Sequence, residues 1–150
     1  MLVGILKGAF VFLSDLARRV TLPHQIEFMA VSSYSGTQSR GAVKIVMDMR
    51  QDIADAHVII VEDIVDTGRT LAFLVELLKT RGPASVECCA LVRKPSAAKV
   101  AVDVKYIGFE MDPVWVVGYG LDYNEMYRTL PYIGVLSPEA IERGQHQEKK

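Results

Sequence analysis

The residues best suited to chemistry lie in one short segment, VIIVEDIVDTGRT, at positions 58–70. Glu62 and Asp63 end a run of aliphatic residues that is typical of a buried strand, and Asp66 follows after Ile64 and Val65. Adjacent carboxylates at the end of a buried strand repel each other and lose hydration, a cost that is understandable when cations or hydroxyl groups bind them. An acidic pair alone leaves open the alternative that these residues have no function.

The turn that follows, DTGRT, has the composition of a phosphate-binding loop. It leads into a helical pattern, so the unpaired N–H groups of the helix N-terminus, a close-approach glycine and the hydroxyls of Thr67 and Thr70 would face the same ligand. The alternative is that Thr67 or Thr70 only caps the helix. Capping does not account for the acids at positions 62 and 63.

The surrounding pattern predicts an open α/β sheet. Short and nearly continuous aliphatic runs, which are typical of parallel strands covered on both faces, occur at 2–6, 26–31, 58–64, 85–92 and 104–110. Helical patterns at 10–20 and 70–81 separate some of them. We expect a mainly parallel sheet of order 2-1-3-4-5 flanked by helices, with ligands bound between strands one and three. The loops LKGAF and EDIVDTGRT leave these two strands, so they should converge.

Composition limits the class of protein. Half of the 150 residues are hydrophobic, no apolar run is long enough to cross a membrane, and we expect a soluble single domain over 1–150. Cys88 and Cys89 are adjacent in a strand pattern and point to opposite faces, which favours free thiols and a reducing cytoplasm. A net charge of −1 argues against a protein that mainly neutralises nucleic-acid phosphates. Residues 33–48 indicate a mobile loop or hairpin, and residues 144–150 a disordered tail.

Several segments together resemble one enzyme family. VEDIVDTGRTL is similar to the 5-phosphoribosyl-1-pyrophosphate (PRPP) motif of the type I phosphoribosyltransferases, in the form found in hypoxanthine-guanine phosphoribosyltransferases. LVGILKGAFVFLSDL, SSYSGTQSRG, LVRKPS and YIGFEMDPVWVVGYGLDYNEMYRTLPYIG extend the resemblance over nearly all of residues 2–136, in the family's order. The resemblance implies a core over 1–113, a small hood over 114–136, and a purine-salvage pentosyltransferase. Such an enzyme transfers the phosphoribosyl group of PRPP to N9 of hypoxanthine or guanine, giving IMP or GMP and pyrophosphate.

The resemblance also implies roles for individual residues. PRPP is assigned to Glu62, Asp63, Asp66, Thr67, Gly68, Arg69 and Thr70. Within this set, residues 66–70 hold the 5′-phosphate, the acidic pair faces the ribose hydroxyls, and Asp66 is the catalytic group beside purine N7. Lys7, Gly8 and Arg128 match the pyrophosphate site, where the family often has a cis peptide, here Leu6–Lys7. The purine is assigned to Lys94, which donates to the 6-oxo group, Trp115, which stacks on the base, Val116 and Asp122. Ser33 and Tyr34 match the lid loop.

Cofactor and assembly follow from the same resemblance. It implies Mg²⁺ associated with Glu62, Asp63 and Asp122, and PRPP with hypoxanthine, guanine or xanthine as ligands, without nucleic acid or membrane. It also implies a cytoplasmic homodimer or homotetramer. Family members usually carry a further helix and strand before the stretch that matches LVGIL, so the hood and the subunit contacts are where we expect differences.

Two other classes of protein remain to be weighed. A regulator could keep this fold and bind nucleic acid, sensing PRPP without consuming it. Such a regulator would need a basic face, which a net charge of −1 does not indicate. It would not need the set Asp66, Lys94, Trp115 and Asp122. A signalling receiver of flavodoxin-like topology would want acids after the first strand, where this chain has LKGAF. Taken singly, Lys7 or Lys94 could be a solvated lysine, Trp115 a packing residue and Asp122 a turn former.

Overall fold

The structure, a computed structural model, describes residues 1–33 and 43–147. The strands are β1 (Leu2–Leu6), β2 (Ile26–Ser33), β3 (Val43–Met47), β4 (His57–Val65), β5 (Ser85–Arg93), β6 (Tyr106–Glu110), β7 (Val116–Val117) and β8 (Gly134–Val135). The helices are α1 (Phe10–Arg19), α2 (Arg69–Lys79) and α3 (Pro138–Gln147), with a short 3₁₀ turn at Pro95–Ala97. None of the helices in the described ranges is long and apolar enough to span a membrane.

Six strands form one sheet in the order β3-β2-β1-β4-β5-β6. All neighbours are parallel except β2 and β3, which pair antiparallel. Without β3, the remaining strands follow the order 2-1-3-4-5, so the predicted fold class is confirmed. Of the two interpretations given for residues 33–48, the strand pairing of Val43–Met47 supports the hairpin. Residues 34–42, which include Tyr34 and most of the predicted lid, lie outside the described residues.

A hydrophobic helix face covers each side of the sheet. Leu71, Leu74 and Leu78 of α2 are spaced at i, i+3 and i+7, and all three are buried against the core of β1, β4 and β5. Leu13 of α1 packs on the opposite face, in a cluster with Cys89. Burying each leucine contributes about 1.5–3 kcal/mol to folding, which fixes both helices and therefore the loops that precede them. The thiols of Cys88 and Cys89 are free and belong to the clusters on the two different faces, as the alternation of a strand requires.

The C-terminal part adds a two-stranded antiparallel sheet, β7 with β8, beyond the end of the main sheet. The helix α3 follows it and continues to Gln147, into the segment 144–150 for which a disordered tail is predicted. Its start is well defined, because Ser137 Oγ accepts a hydrogen bond from the Ala140 N–H at 3.3 Å and Pro138 occupies the first turn.

Candidate active site

Three loops meet at the carboxyl ends of β1 and β4 through closely packed glycines. The peptide Leu6–Lys7 at the end of β1 is cis, as the family resemblance implies. Gly8 lies directly against an acid of β4, since a Cβ on Gly8 would be only 1.6 Å from Asp63 Oδ2. Gly120, with φ of +104°, approaches Gly8 so closely that its Cβ would be 2.0 Å from the Gly8 carbonyl oxygen. The predicted convergence of the β1 and β4 loops is therefore present, and the C-terminal segment joins them.

The two acids that end β4 are poorly solvated carboxyl groups. Glu62 is only 7% exposed, and burial, reinforced by the charge of Asp63, raises its pKa well above the usual value. Burial raises the pKa of Asp63 to about 6, although the Ile64 N–H donates to its Oδ1 at 2.9 Å and Arg128 favours its charge. Asp122 raises the pKa of Asp63 further. A cation or a hydroxyl donor placed beside them would therefore stabilise the charged form of both carboxylates.

The turn after β4 is a backbone cradle without a side-chain cap. Gly68 precedes α2 in the left-handed conformation, φ 79°, and no side chain caps the helix at that position. Neither Thr67 nor Thr70 therefore caps this helix with its side chain. The loop that follows β5 fixes the turn, because the N–H groups of Lys99 and Val100 donate to the Thr67 carbonyl at 3.0 and 3.1 Å.

A small cavity of about 90 Å³ lies in this turn, and its polar lining comprises Glu62, Asp66, Thr67, Gly68 and Thr70. Arg69, the remaining residue of the turn, is exposed at the first position of α2. The first N–H groups of a helix have no partner within the helix, and the helix dipole adds partial positive charge at the same point. The cavity therefore has the size and the polarity for an anion such as a phosphate group.

A second cavity, of about 190 Å³, lies beside the turn and is lined by Asp66, Lys94, Pro113, Val114 and Trp115. Lys94 is 7% exposed, its backbone N–H donates to the Val65 carbonyl at 2.9 Å, and its ammonium has no ion-pair partner among the residues that the structure describes. Trp115 is 57% exposed and meets the Tyr123 ring edge-to-face at a centroid distance of 5.7 Å. A buried cation and an exposed indole thus border the same cavity, which the exposed Asp66 also lines.

Arg128 and Glu125 form a network of charged side chains near Gly8. Arg128 Nη1 lies 3.0 Å from Asp122 Oδ1 and donates to the Gly120 carbonyl at 2.9 Å. Glu125 accepts from Arg128 Nη2 at 3.1 Å and from Lys7 Nζ at 2.6 Å. Lys7, Arg128 and Asp122, all predicted from the sequence, are therefore connected in one place. The carboxylate of Asp122 pairs with Arg128 in this arrangement.

Sequence reasoning missed Glu125, Gly120 and Tyr123. The run GYG at 118–120 was a signal for Gly120, because closely spaced glycines often mark a close approach of two backbones. The spacing of Glu125 and Arg128 carried no such signal, since their segment is not helical and only the folded turn brings the pair together.

Of the other predicted residues, Val116 is buried in β7, where it pairs with Val135, and Ser33 ends β2.

The donor set proposed for a metal consists of Glu62, Asp63 and Asp122. In residues 1–33 and 43–147 no three such side chains are close enough together to hold a metal ion by themselves. Carboxylate oxygens on a partly buried, acid-rich surface nevertheless fit a Mg²⁺ ion that retains water and takes further oxygen ligands from a bound phosphate. A larger cavity, of about 780 Å³, lies between α2 and β5, and none of the predicted site residues lines it.

Comparison with known proteins identifies the family of this fold and site. Residues 1–124 match the family model described as phosphoribosyl transferase domain, so the chain belongs to the phosphoribosyltransferase family. Hypoxanthine-guanine phosphoribosyltransferase of Mycobacterium avium is 51% identical over 144 residues, which are 95% of this chain and 71% of that protein. The enzyme of the same name from Dictyostelium discoideum is 50% identical over 147 residues, covering 95% of this chain and 82% of that protein.

Solved structures agree with the sequence relatives. A hypoxanthine phosphoribosyltransferase from Staphylococcus aureus superposes with a TM-score of 0.87 at 47% identity, covering 92% of this chain and 76% of that one. A Trypanosoma cruzi hypoxanthine phosphoribosyltransferase in complex with the product IMP gives a TM-score of 0.87 at 42% identity, covering 92% and 75%. The resemblance stated from the sequence motifs is confirmed.

Proposed function

We propose that this chain is a purine-salvage enzyme that transfers the 5-phosphoribosyl group of PRPP to N9 of hypoxanthine or guanine, giving IMP or GMP and pyrophosphate. The observation that carries the proposal is the cavity bordered by Asp66, Lys94 and Trp115, which adjoins the phosphate-sized cavity of residues 67–70. Residues from three different loops come together there, and each of them has the chemistry that one part of this reaction needs. The Trypanosoma cruzi relative with IMP bound supports the same choice of product.

The sugar phosphate of PRPP is assigned to the turn before α2. Thr67, Gly68, Arg69 and Thr70 bind the 5′-phosphate through their N–H groups and side chains, at the positive end of the helix dipole. Glu62 and Asp63 face the ribose hydroxyls, which donate to the poorly solvated carboxylates. Burial raises the pKa of both acids, because their charged forms have too few hydrogen-bond donors around them. The ribose hydroxyls would supply such donors.

The purine is assigned to the neighbouring cavity. Lys94 donates from its ammonium to the 6-oxo group of the base, which favours hypoxanthine, guanine and xanthine over adenine, since an exocyclic amino group accepts poorly. The base stacks on the exposed indole of Trp115. The backbone of Val116 forms hydrogen bonds with the edge of the base. Asp122, which contacts Arg128, is assigned to the same purine site.

Asp66 lies at the border of both cavities and is assigned the catalytic role. As the bond from C1′ to pyrophosphate breaks, the sugar gains positive charge, and a carboxylate held nearby stabilises that charge. The same carboxylate accepts the proton of purine N7 while N9 attacks. A lid that includes Ser33 and Tyr34 would exclude water, the competing nucleophile, during this step.

Lys7, Gly8 and Arg128 are assigned to the pyrophosphate group. When bound, Mg²⁺ neutralises charge on the leaving pyrophosphate. The carboxylates of Glu62, Asp63 and Asp122 would hold this ion through substrate oxygens and water. The close contact of Gly8 with Asp63 brings the pyrophosphate loop beside these acids, which supports the assignment.

We further propose that residues 1–150 form one domain, with a core over 1–113 and a hood over 114–136, and that the enzyme is a cytoplasmic homodimer or homotetramer. The free, buried thiols of Cys88 and Cys89 support a reducing compartment.

The test is to incubate the protein with PRPP, Mg²⁺ and each purine base separately and to follow nucleotide formation. IMP and GMP are expected, with no AMP. In the same assay Asp66→Asn is expected to form nucleotide slowly, whereas its matched control, Asp52→Asn, is expected to match the wild type. Asp52 is an exposed acid that precedes β4. Binding of PRPP without any nucleotide product would favour the nucleic-acid-binding regulator instead.

A further inference from the structure

Glu125 forms ion pairs with two of the residues that are assigned to the pyrophosphate, Lys7 and Arg128. Its Oε2 lies 2.6 Å from Lys7 Nζ, and its Oε1 lies 3.1 Å from Arg128 Nη2. The two oxygens of one carboxylate thus bind one cation each, and Glu125 lies 118 residues from Lys7 in the sequence. A phosphate group presents the same kind of paired anionic oxygens to lysine and arginine.

The backbone holds Glu125 in this place. Asn124 and Glu125 have φ angles of 51° and 61°, in the left-handed region that non-glycine residues rarely adopt. The Glu125 N–H donates to Asp122 Oδ2 at 2.9 Å, which links the turn to the acid that Arg128 also contacts. A residue kept in a rare conformation by surrounding contacts is placed by the fold, so the backbone at Glu125 is held within reach of both cations while its side chain can move.

The two ion pairs are suited to exchange. The side chains of Lys7 and Glu125 are 68% and 64% exposed, and exposed ion pairs contribute little to stability. Arg128 is only 16% exposed and keeps its other contacts, to Asp122 and to the Gly120 carbonyl, when Glu125 moves away. Lys7 and Glu125 can therefore separate without disturbing the position of the guanidinium.

We propose that Glu125 is an internal competitor of the pyrophosphate group, binding Lys7 and Arg128 in the ligand-free protein and giving up both when pyrophosphate binds. This inference rests on the proposed function, because it takes Lys7 and Arg128 as the pyrophosphate ligands. The carboxylate lowers the affinity for pyrophosphate and so favours its release after transfer. Glu125 acts through the two cations and is a positioning residue, not a catalytic one.

The test compares Glu125→Gln with Glu76→Gln, which removes the same charge from an exposed ion pair with Lys79 on α2. Isothermal titration measures the Kd of inorganic pyrophosphate in the presence of Mg²⁺, and separately the Kd of IMP. Glu125→Gln is expected to bind pyrophosphate about fivefold tighter or more, since removing a competing carboxylate strengthens the remaining charge-assisted contacts. IMP binding, and both affinities of Glu76→Gln, are expected to match the wild type.

A second variant, Glu125→Asp, keeps the charge, but its side chain is too short to reach both cations. Its Kd for pyrophosphate is therefore expected to lie between that of the wild type and that of Glu125→Gln. Equal or weaker pyrophosphate binding by Glu125→Gln, with normal IMP binding, overturns the inference, because Glu125 would then position the cations for the ligand. If the wild type itself forms no nucleotide and binds no pyrophosphate, the proposed function fails with it. An active wild type with no gain in either variant removes this inference alone.

Discussion

Replacing Asp63 by asparagine should stabilise the protein while it damages the site. In the folded protein burial raises the pKa of Asp63 from 3.8 to about 6, a difference of about 2 units. Each unit corresponds to about 1.4 kcal/mol, so the charged carboxylate costs the fold about 3 kcal/mol at pH values above 6. Asparagine has the same shape and no charge, and its amide oxygen can still accept from the Ile64 N–H, which lies 2.9 Å from Asp63 Oδ1.

The sign of the pH dependence follows from the raised pKa. Between the unfolded value of 3.8 and the folded value of about 6, the native state binds more protons than the unfolded state, so this group destabilises the fold as pH rises through that window. Below the window both states are protonated and the cost disappears. Thermal unfolding should therefore show a gain for Asp63→Asn of about 2–4 °C per kcal/mol at about pH 8, and a much smaller gain at about pH 4.

Two comparisons make this test specific. Asp112→Asn, an exposed acid, should leave the unfolding temperature unchanged at both pH values. PRPP binding by Asp63→Asn should fall, because the ribose hydroxyls lose a charged acceptor. An equal loss of stability for Asp63→Asn at both pH values would refute the reasoning, since it would mean that the carboxylate is well accommodated and that its burial costs little.

Three further variants test the rest of the site. Asp66→Asn should lower turnover by about 10²-fold or more, measured by steady-state kinetics, with PRPP binding largely intact. Gly8→Ala should lower kcat/KM by about 10²-fold, because its Cβ would overlap Asp63 Oδ2, whereas Gly134→Ala, whose Cβ makes only ordinary contact with Tyr132, should remain active. Lys94→Met should weaken use of hypoxanthine and guanine by about 1.5–3 kcal/mol in transition-state free energy, read from kcat/KM, and unchanged kinetics would remove Lys94 from the base site.

Much of the fold follows from local sequence signals. The continuous aliphatic runs around Val61 and Ala90 are typical of strands covered on both sides, and both residues are fully buried. The i, i+3, i+7 spacing of Leu71, Leu74 and Leu78 defined α2 and its buried face. Because strand order and chain direction place the β1 and β4 loops at the same edge, the position of the site followed as well.

The contacts between distant segments could not be derived in the same way. The run GYG signals a close approach by Gly120 but does not say that its neighbour is the Gly8 carbonyl, and no local signal indicates that Glu125 reaches Lys7. Both contacts depend on how the C-terminal turns pack against the loop after β1. The helix α3 was not predicted, because its polar sequence has little to bury and only the Ser137 cap marks its start. The roles of single site residues were available from the long family motif and not from periodicity or composition.

The most direct test of the central claim is a crystal structure of this chain with IMP. The account predicts the phosphate at the backbone N–H groups of residues 67–70, about 2.7–3.2 Å from their nitrogens, with the base against Trp115 and its 6-oxo group at Lys94 Nζ. IMP bound in the large cavity between α2 and β5, or the turn at 66–70 closed by the protein's own side chains, would contradict it.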